Sequence, residues 1–274
     1  MDGGERVSSD EPLHALADAL RRTRGLLLFV TGAGVSLASG IPTFRGSDPG
    51  AVWKRDVTEL GTRRYFEEDP AGSWAWYLSR FEKVFGAEPN PAHRALVEAE
   101  RWQLGRGGQF LLVTQNIDGL HRRAGSRELV EVHGRADRVR CSREGCRLGA
   151  PSGSIPRDQV DLRAFEAEPR REHVPVCPAC GAPLRQHVLW FDEYYQGHDD
   201  YGWERVCAAA EEAELVVFAG TSLSVGVTDM LARSAHARRV PVFLIDPAAT
   251  EPARAIAAGA ETALPMLVRM LTAR

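Results

Sequence analysis

Short apolar runs alternate with amphipathic segments along most of the chain, which is the pattern of a parallel α/β sheet. The runs predict buried strands, and the segments between them place apolar residues at the spacing of one helix face. The predicted strands cover residues 26–30, 109–114, 129–132, 215–219 and 240–245. Helices are predicted over residues 11–24, from Pro70, from Pro91, over 203–213 and over 264–271.

Small or polar residues follow the predicted strands at their carboxyl ends. Because parallel strands end at one edge of a sheet, these residues are expected to share one crevice, where such sheets bind their ligands. The fold class is therefore predicted to be α/β, with a Rossmann-like, doubly wound parallel sheet. The residues in question are Gly32, Gln115, His133, Gly220 and Asp246.

The composition changes over residues 135–186, where Arg, Pro, Gly and Cys dominate and the apolar periodicity disappears. This stretch is predicted to be a small inserted module. The sheet domain then comprises residues 1–134 and 187–274, with a helical segment over about 47–105.

Four of the five cysteines form two close pairs, which lie inside the inserted stretch. Two thiolate pairs on tight turns match tetrahedral zinc, and four thiolates leave no open coordination position for chemistry. A redox role for the second pair and simple burial of the thiols are the alternatives. The predicted zinc ligands are Cys141, Cys146, Cys177 and Cys180, whereas Cys207 is predicted to be a core residue.

A glycine-rich stretch over residues 30–46 follows the first predicted strand directly. Strand, glycine turn and helix start form the layout of a dinucleotide site, in which backbone N–H groups face a phosphate. The third glycine, Gly40, comes later than in the usual G-x-G-x-x-G spacing. A plain strand-to-helix turn is the alternative.

Composition narrows the class of protein further. The chain has 274 residues, a formal net charge of −3 and ordinary fractions of hydrophobic (44%) and charged (26%) residues, so bulk electrostatics give no reason to expect nucleic-acid binding. No apolar run approaches the roughly 20 residues of a membrane span. The first ten residues are polar and lack an apolar signal core, so we expect a cytoplasmic protein with no membrane association.

Together these motifs resemble those of the sirtuins, over nearly the whole chain. The glycine stretch is similar to the family's first motif, residues 114–121 (Thr-Gln-Asn-Ile-Asp-Gly-Leu-His) to its second, and His133-Gly134 to its third. The cysteine pairs lie where sirtuins carry structural zinc, and Gly220-Thr221-Ser222 is similar to a further nucleotide-contacting turn.

The resemblance implies an NAD-dependent protein-lysine deacylase, with NAD as co-substrate, one structural zinc ion and acyl-lysine proteins as substrates. His133 is then the general base on the ribose, and its ordinary pKa of about 6.5 suits that role near neutral pH. Asn116 and Asp118 are expected to bind the nicotinamide amide, and the segment over 47–105 to cover the pocket. The other implied NAD-binding residues are Gly32, Ala33, Gly34, Ser36, Ile41, Phe44, Arg45, Gln115, Ile117, Gly220, Thr221, Ser222 and Asp246.

The predicted helix from Pro70 carries Tyr77 and Arg80. In sirtuins that prefer acidic acyl groups, a tyrosine and an arginine with this spacing line the acyl pocket. Positions three apart share a helix face, and a guanidinium binds a carboxylate in a two-point geometry. The resemblance therefore implies removal of succinyl or malonyl groups, with acetyl also accepted, while an aromatic core stripe is the alternative.

Three positions depart from the family pattern. Asp192 stands where a glycine is usual in the substrate-binding loop, residues 224–227 lack the expected proline, and Asp246 replaces a common asparagine. Two other functions stay open, a mono-ADP-ribosyltransferase and a non-catalytic sensor of NAD or ADP-ribose. The oligomeric state is open, and a monomer is compatible with the sequence.

Overall fold

The computed structural model describes residues 10–42, 56–223, 226–250 and 254–273. Within these residues, six strands form a wholly parallel sheet. The strands are β1 (Leu26–Thr31), β2 (Gln109–Thr114), β3 (Leu129–Glu131), β7 (Ala213–Ala219), β8 (Val242–Ile245) and β9 (Ala255–Ile256). The α/β fold class is thereby confirmed, and the five predicted strands are present with shifts of up to two residues at their ends.

The strand order is β3-β2-β1-β7-β8-β9, so the chain winds outwards in both directions from the centre. β1 pairs with β2 on one side and with β7 on the other, and all six of its residues are buried. The two halves of the sheet therefore diverge between β1 and β7. In doubly wound sheets this switch point opens a crevice at the carboxyl ends of the strands.

Helices cover both faces of the sheet and bury two apolar clusters. One cluster unites Leu16, Leu96 and Leu267 with Phe29 of β1, whereas the other includes Val206 and Leu231. Each face of a parallel sheet must be covered in this way, because its strands are apolar on both sides. The first layer holds α1 (Asp10–Arg22), α5 (Pro91–Gly105) and α10 (Ala260–Thr272), and the second holds α8 (Trp203–Glu212) and α9 (Gly226–Ala237).

A third apolar cluster joins the predicted helical segment to the inserted module. Its centre is the indole of Trp74, which is buried and donates a hydrogen bond to the carbonyl of Leu184 (2.8 Å). The helices of the segment before α5 are α2 (Asp56–Leu60), α3 (Arg63–Glu68) and α4 (Pro70–Phe85). Both α4 and α5 begin at a proline, as predicted, and the side chains of Asp69 and Asn90 cap them.

The module itself is built on a small antiparallel sheet. In the described part of the chain, β4 (Gly134–Cys141) lies between β5 (Ile155–Pro156) and β6 (Leu184–Val188). β6 extends to Val188 and β4 starts at Gly134, so this sheet crosses both predicted module limits, 135 and 186, by one or two residues. The short helices α6 (Leu120–Ala124) and α7 (Arg163–Ala167) and several 3-10 turns complete the described elements.

Within the residues that the structure describes, no helix combines the length and the hydrophobicity that a membrane span requires.

Candidate active site

Two glycine-containing loops meet where the sheet divides. The first follows β1 and continues as a 3-10 helix over Ala33–Ser39, and the second follows β7. A Cβ atom on Gly34 would lie 2.7 Å from the Cα atom of Gly220, and one on Gly220 would lie 2.5 Å from the backbone N of Val35. Gly220 also has a φ of +58°. Glycine is therefore required at both positions for the two backbones to touch.

Three backbone N–H groups of this loop already have protein partners. Gly32 N donates to Ala219 O (3.2 Å), Gly34 N to Gly220 O (2.9 Å) and Val35 N to Gly32 O (3.1 Å). The expectation of an α-helix start with free N–H groups is thus replaced by a tight 3-10 turn. Gly40, which comes later than the third glycine of the usual spacing, ends the turn in a left-handed conformation (φ +83°).

Three polar side chains at the ends of β1 and β2 form a connected chain. Asn116 Nδ2 donates to Ser36 Oγ (3.1 Å) and to Gly32 O (3.0 Å), and Ser36 Oγ donates to Asp118 Oδ2 (2.7 Å). Asp118 Oδ1 accepts the backbone N–H of Leu120 (2.9 Å). Burial raises the pKa of the Asp118 carboxyl, while these two hydrogen bonds oppose the rise. The structure thus brings together residues predicted from two separate motifs, Ser36 from the glycine stretch and Asn116 and Asp118 from residues 114–121.

His133 follows β3 and lies beside this group. Its Nδ1 atom is 2.9 Å from the carbonyl oxygen of Gln115. Because a carbonyl can only accept, Nδ1 carries the proton and Nε2 carries the lone pair. Burial lowers the pKa of His133 to about 4, although the bond to Gln115 works in the other direction. His133 is therefore neutral at pH 7, with Nε2 able to accept a proton.

Gln115 and Thr221 connect the two sides of the crevice. The side-chain amide of Gln115 donates to Thr221 Oγ1 (3.1 Å) and to Thr31 O (3.2 Å). On the far side, Gly220 N donates to Ile245 O (2.9 Å), and Asp246 Oδ1 accepts the N–H of Ala248 (2.9 Å). Residues from the ends of β1, β2, β7 and β8 thus surround one crevice at the switch point.

Of the other predicted NAD-binding residues, some lie in the described part of the chain and some lie outside it. Ile41 and Ile117 are half-buried and pack against the third apolar cluster, and the carbonyl of Ile117 accepts the N–H of Ala136 (2.8 Å). Ser222 is exposed and directly follows Thr221. Phe44 and Arg45, by contrast, lie outside the described residues, as do positions 224 and 225.

Several residues that support the crevice were not predicted from the sequence. Thr31 Oγ1 lies 2.9 Å from His121 Nε2 and donates to Thr114 Oγ1 (2.9 Å), and the His121 ring packs on the buried His93 ring at 4.6 Å. Tyr195 stacks on His133 at 5.9 Å, with its hydroxyl 3.5 Å from Nε2. Thr31, Thr114 and His121 lie inside the sequence motifs, but these contacts join positions far apart in the chain, so no motif indicates which side chains meet.

The four paired cysteines come together as predicted. The Sγ atoms of Cys141 and Cys180 are 3.4 Å apart, those of Cys146 and Cys177 are 3.7 Å apart, and all four lie within 4.8 Å of one another. Four sulfurs at about 2.3 Å from a tetrahedral zinc ion are about 3.8 Å apart. The donor set and its spacing therefore fit a structural zinc ion.

Comparison with known proteins decides the family. The sequence model described as Sir2 family matches residues 32–227, which is more than half of the chain. The chain belongs to the Sir2 family.

Related sequences and structures agree with this assignment. A Thermus thermophilus protein named NAD-dependent protein deacylase is 43% identical over 222 residues, 81% of this chain and 79% of its own. NAD-dependent protein deacylase 1 of Pseudomonas aeruginosa is 40% identical over 222 residues, 81% of each chain. The structure of a Sir2 homologue in complex with NAD superposes with a TM-score of 0.74 at 34% identity, covering 94% of this chain and 93% of that one.

Tyr77 and Arg80 both lie on α4, as predicted from the sequence. The surroundings of the two side chains differ from each other. Tyr77 is only 7% exposed, packs edge-on against Trp76 at 4.6 Å and contacts Phe81 at 5.3 Å. Burial raises the pKa of its hydroxyl far above the usual range, so the hydroxyl keeps its proton. The guanidinium of the half-buried Arg80 stacks 4.2 Å above the Trp76 ring.

Asp192 has a defined structural role. Its carboxylate accepts the backbone N–H groups of Arg63 (2.7 Å) and Arg64 (3.1 Å) at the start of α3. In addition, Phe191 N donates to Gly61 O (3.0 Å). The segment around Asp192 is thus held against the helical segment by a side chain that glycine lacks.

Replacing Asp192 by glycine is expected to lower the free energy of unfolding by about 1 kcal/mol, because two helix N-terminal N–H groups lose their acceptor. In a chain of this size that loss corresponds to a decrease in Tm of about 3 °C. Thermal unfolding followed by circular dichroism measures it. Asp192→Asn, which keeps one acceptor oxygen, should lose less. Equal Tm values for Asp192→Gly and the wild type would show that the cap contributes nothing.

A large cavity lies away from the crevice, beside the cysteine cluster. Its volume is about 850 Å³, and its walls include Cys141, Trp190 and the Glu193 carboxylate between the guanidinium groups of Arg140 and Arg185. Neither His133 nor Asn116 lines it. The volume of this cavity therefore does not identify the candidate active site. The site is identified by the polar residues that meet at the carboxyl ends of the strands.

Proposed function

We propose that this chain is an NAD-dependent protein-lysine deacylase that releases nicotinamide from NAD and transfers the acyl group of acyl-lysine to ADP-ribose. The observation that carries the proposal is the His133 site, where the carbonyl of Gln115 holds a neutral imidazole with its Nε2 lone pair toward the Tyr195 hydroxyl, and the next residue, Asn116, begins the Asn116–Ser36–Asp118 chain. The deacylases of Thermus thermophilus and Pseudomonas aeruginosa, at about 40% identity, support it.

In this proposal His133 is the general base. Its Nε2 atom takes the proton of a ribose hydroxyl, while Nδ1–H stays on the Gln115 carbonyl and holds the ring in place. The imidazole is neutral at pH 7 and can accept a proton, but burial lowers its pKa to about 4, below the ordinary value of about 6.5 on which the expectation from the sequence rested. No cysteine is needed as a nucleophile, because the acyl oxygen of the substrate itself attacks the sugar carbon.

Asn116 and Asp118 are proposed to bind the amide of nicotinamide, which offers one acceptor and two donors. Ser36 connects them, because it accepts from the Asn116 amide and donates to the Asp118 carboxylate. Such pre-arranged side chains lose little conformational freedom when a ligand binds. Ile41 and Phe44 are proposed as the apolar wall of the same pocket, with Arg45, Gln115, Thr221, Ser222 and Asp246 on the ribose and phosphate groups.

A single-turnover reaction with NAD and an acyl-lysine peptide tests the activity. Deacylation yields one nicotinamide, one free lysine peptide and one acyl-ADP-ribose, all resolved by mass spectrometry. Labelling of protein with ADP-ribose instead would indicate a mono-ADP-ribosyltransferase. Binding of NAD without any product would indicate a sensor, and either outcome would contradict the proposal.

We further propose that acidic acyl groups, succinyl and malonyl, are preferred, with Arg80 binding the distal carboxylate and Tyr77 donating a further hydrogen bond. Both side chains are on α4, and the protonated Tyr77 hydroxyl remains a donor. Tyr77 is also a member of the third apolar cluster, which favours a packing role for it. Arg80 therefore provides the sharper test.

Arg80→Met is expected to lower kcat/KM for a succinyl-lysine peptide roughly 10- to 100-fold, because two charge-assisted hydrogen bonds to the carboxylate are lost. The value for the matching acetyl-lysine peptide should change little, since acetyl has no carboxylate. Steady-state rates on the two peptides, measured with the same enzyme stock, give the ratio.

Lys83→Met is the matched control, because it removes an exposed cation from the last turn of the same helix. Its succinyl-to-acetyl ratio should equal that of the wild type. An unchanged succinyl rate in Arg80→Met would refute the pocket assignment and leave the deacylase proposal intact.

A further inference from the structure

A second group of ligand-type side chains lies on the module side of the molecule. It consists of His187, which is on β6, with His198 and Asp200, which flank the start of the 3-10 turn Asp199–Tyr201. One coordinating atom from each of the three lies within 4.8 Å of the others. His187 Nε2 is 3.0 Å and His198 Nδ1 is 3.9 Å from Asp200 Oδ2. None of the four paired cysteines belongs to this group.

The imidazole of His187 is completely buried yet has unused hydrogen-bonding capacity. Nδ1 has no hydrogen-bond partner among the described residues, and Nε2 lies 3.0 Å from Asp200 Oδ2. The His198 ring packs against it edge-on, at 4.5 Å between the centroids. A buried ring nitrogen without a partner needs an explanation, and a bound ion is one that the neighbouring carboxylate and second imidazole favour.

The surroundings of His198 and Asp200 orient their coordinating atoms. His198 Nε2 lies 3.1 Å from the carbonyl of Gly153, so Nε2 carries the proton and Nδ1 carries the lone pair. Asp200 Oδ2 accepts a hydrogen bond from Ser154 Oγ (3.1 Å), which in turn accepts one from Arg138 Nε (2.8 Å). Outer hydrogen bonds of this kind typically orient metal-ligating histidines and carboxylates.

We propose that His187, His198 and Asp200 bind a divalent transition-metal ion, with zinc the first expectation and water completing the coordination. Two imidazoles and one carboxylate are ligands that zinc accepts, and two such atoms at about 2.1 Å from a tetrahedral ion lie about 3.4 Å apart. The two distances to Asp200 Oδ2, 3.0 and 3.9 Å, bracket this value. The backbone N–H of Asp200 donates a hydrogen bond to His198 Nδ1 (3.1 Å), and a metal ion bound to Nδ1 would replace this hydrogen bond.

Access to this site and its position support the proposal. The Asp200 side chain is 45% exposed, so an ion can enter from solvent on that side. The bound ion would fasten the turn Asp199–Tyr201 to β6, and so link the segment after the substrate loop to the small sheet. This open site with nitrogen and oxygen donors differs from the closed cysteine site, and we expect it to bind metal more weakly and reversibly.

The test uses the full-length protein with its cysteine zinc in place, passed over a weak chelating resin until it holds one zinc ion per chain by elemental analysis. Zn²⁺ or Co²⁺ is then titrated by calorimetry. We expect one additional ion per chain and a higher Tm in its presence, because an ion that binds only the native state stabilises it. Added Co²⁺ should give visible bands without a thiolate charge-transfer band.

Two substitutions make the result specific. Asp200→Asn is expected to weaken binding of the additional ion by at least about tenfold, whereas Asp199→Asn, an exposed neighbour, should bind it as the wild type does. His198→Gln provides a second variant in which a ligand is lost. A stoichiometry that stays at one ion, equal binding by Asp200→Asn and wild type, or Co²⁺ appearing only on thiolates would overturn the proposal.

Discussion

Alanine in place of His133 is expected to lower kcat for deacylation about 100- to 10,000-fold, the contribution usual for a positioned general base. The structure gives the reason in atomic terms: the Nδ1 proton is held by the Gln115 carbonyl, and burial lowers the pKa to about 4, so that Nε2 is unprotonated at pH 7. Steady-state kinetics on an acyl-lysine peptide at saturating NAD measure the loss.

The binding of NAD should be nearly unaffected in the same variant, because the proposed contacts to nicotinamide and phosphates come from other residues. Calorimetric titration with NAD and a thermal melt separate a catalytic effect from a folding effect. His14→Ala, which removes an exposed histidine from α1, is the matched control and should retain full activity. A folded His133→Ala enzyme with kcat within a few-fold of the wild type would disprove the general-base role.

Loss of the cysteine-bound zinc is expected to lower Tm by about 10 °C or more, since structural zinc sites in small domains contribute much of their folding free energy. Cys177→Ser removes one ligand that is itself buried. The third apolar cluster depends on this module, because Trp74 of α4 packs on Phe165 at 6.3 Å and donates to Leu184. Activity should fall as well, since α4 also carries Arg80.

Tryptophan fluorescence, elemental analysis and thermal melting report the change together. We expect a red-shifted emission spectrum from Trp74 and Trp190, both now buried, and less than one tightly held metal ion per chain. Cys207→Ser is the matched control, because Cys207 lies on α8 away from the cluster and should leave all three readings unchanged. A zinc-free protein with an unaltered Tm would show that the module needs no metal.

Much of the fold could be predicted from the sequence because the relevant information is local. Apolar runs such as 26–30 identify strands, since a strand buried on both faces must be apolar throughout. Pro70 and Pro91 mark helix starts, because proline suits the first helical turn. The close cysteine pairs likewise predict a tetrahedral site, and the structure brings all four sulfurs together.

The glycine loop shows where local information ends. Its spacing alone indicates a turn, but the reason for glycine at position 34 is Gly220, which lies in the loop after a different strand of the sheet, β7. Asp192 appears in sequence as a departure from a family motif, whereas the fold places it under Arg63, 129 residues away, as a helix cap. No sequence motif predicted that Tyr195 would lie beside His133 or that His187 would lie beside Asp200.

The sequence by itself therefore determined the strand and helix pattern, the cysteine quartet and the chemistry of the sheet-end residues. The tertiary structure decided which of these side chains meet, which tautomer His133 adopts and which positions require glycine. The physical reason is that periodicity, capping and ligand spacing act within a few residues, whereas hydrogen-bond partners and close backbone contacts are set by the packing of distant segments.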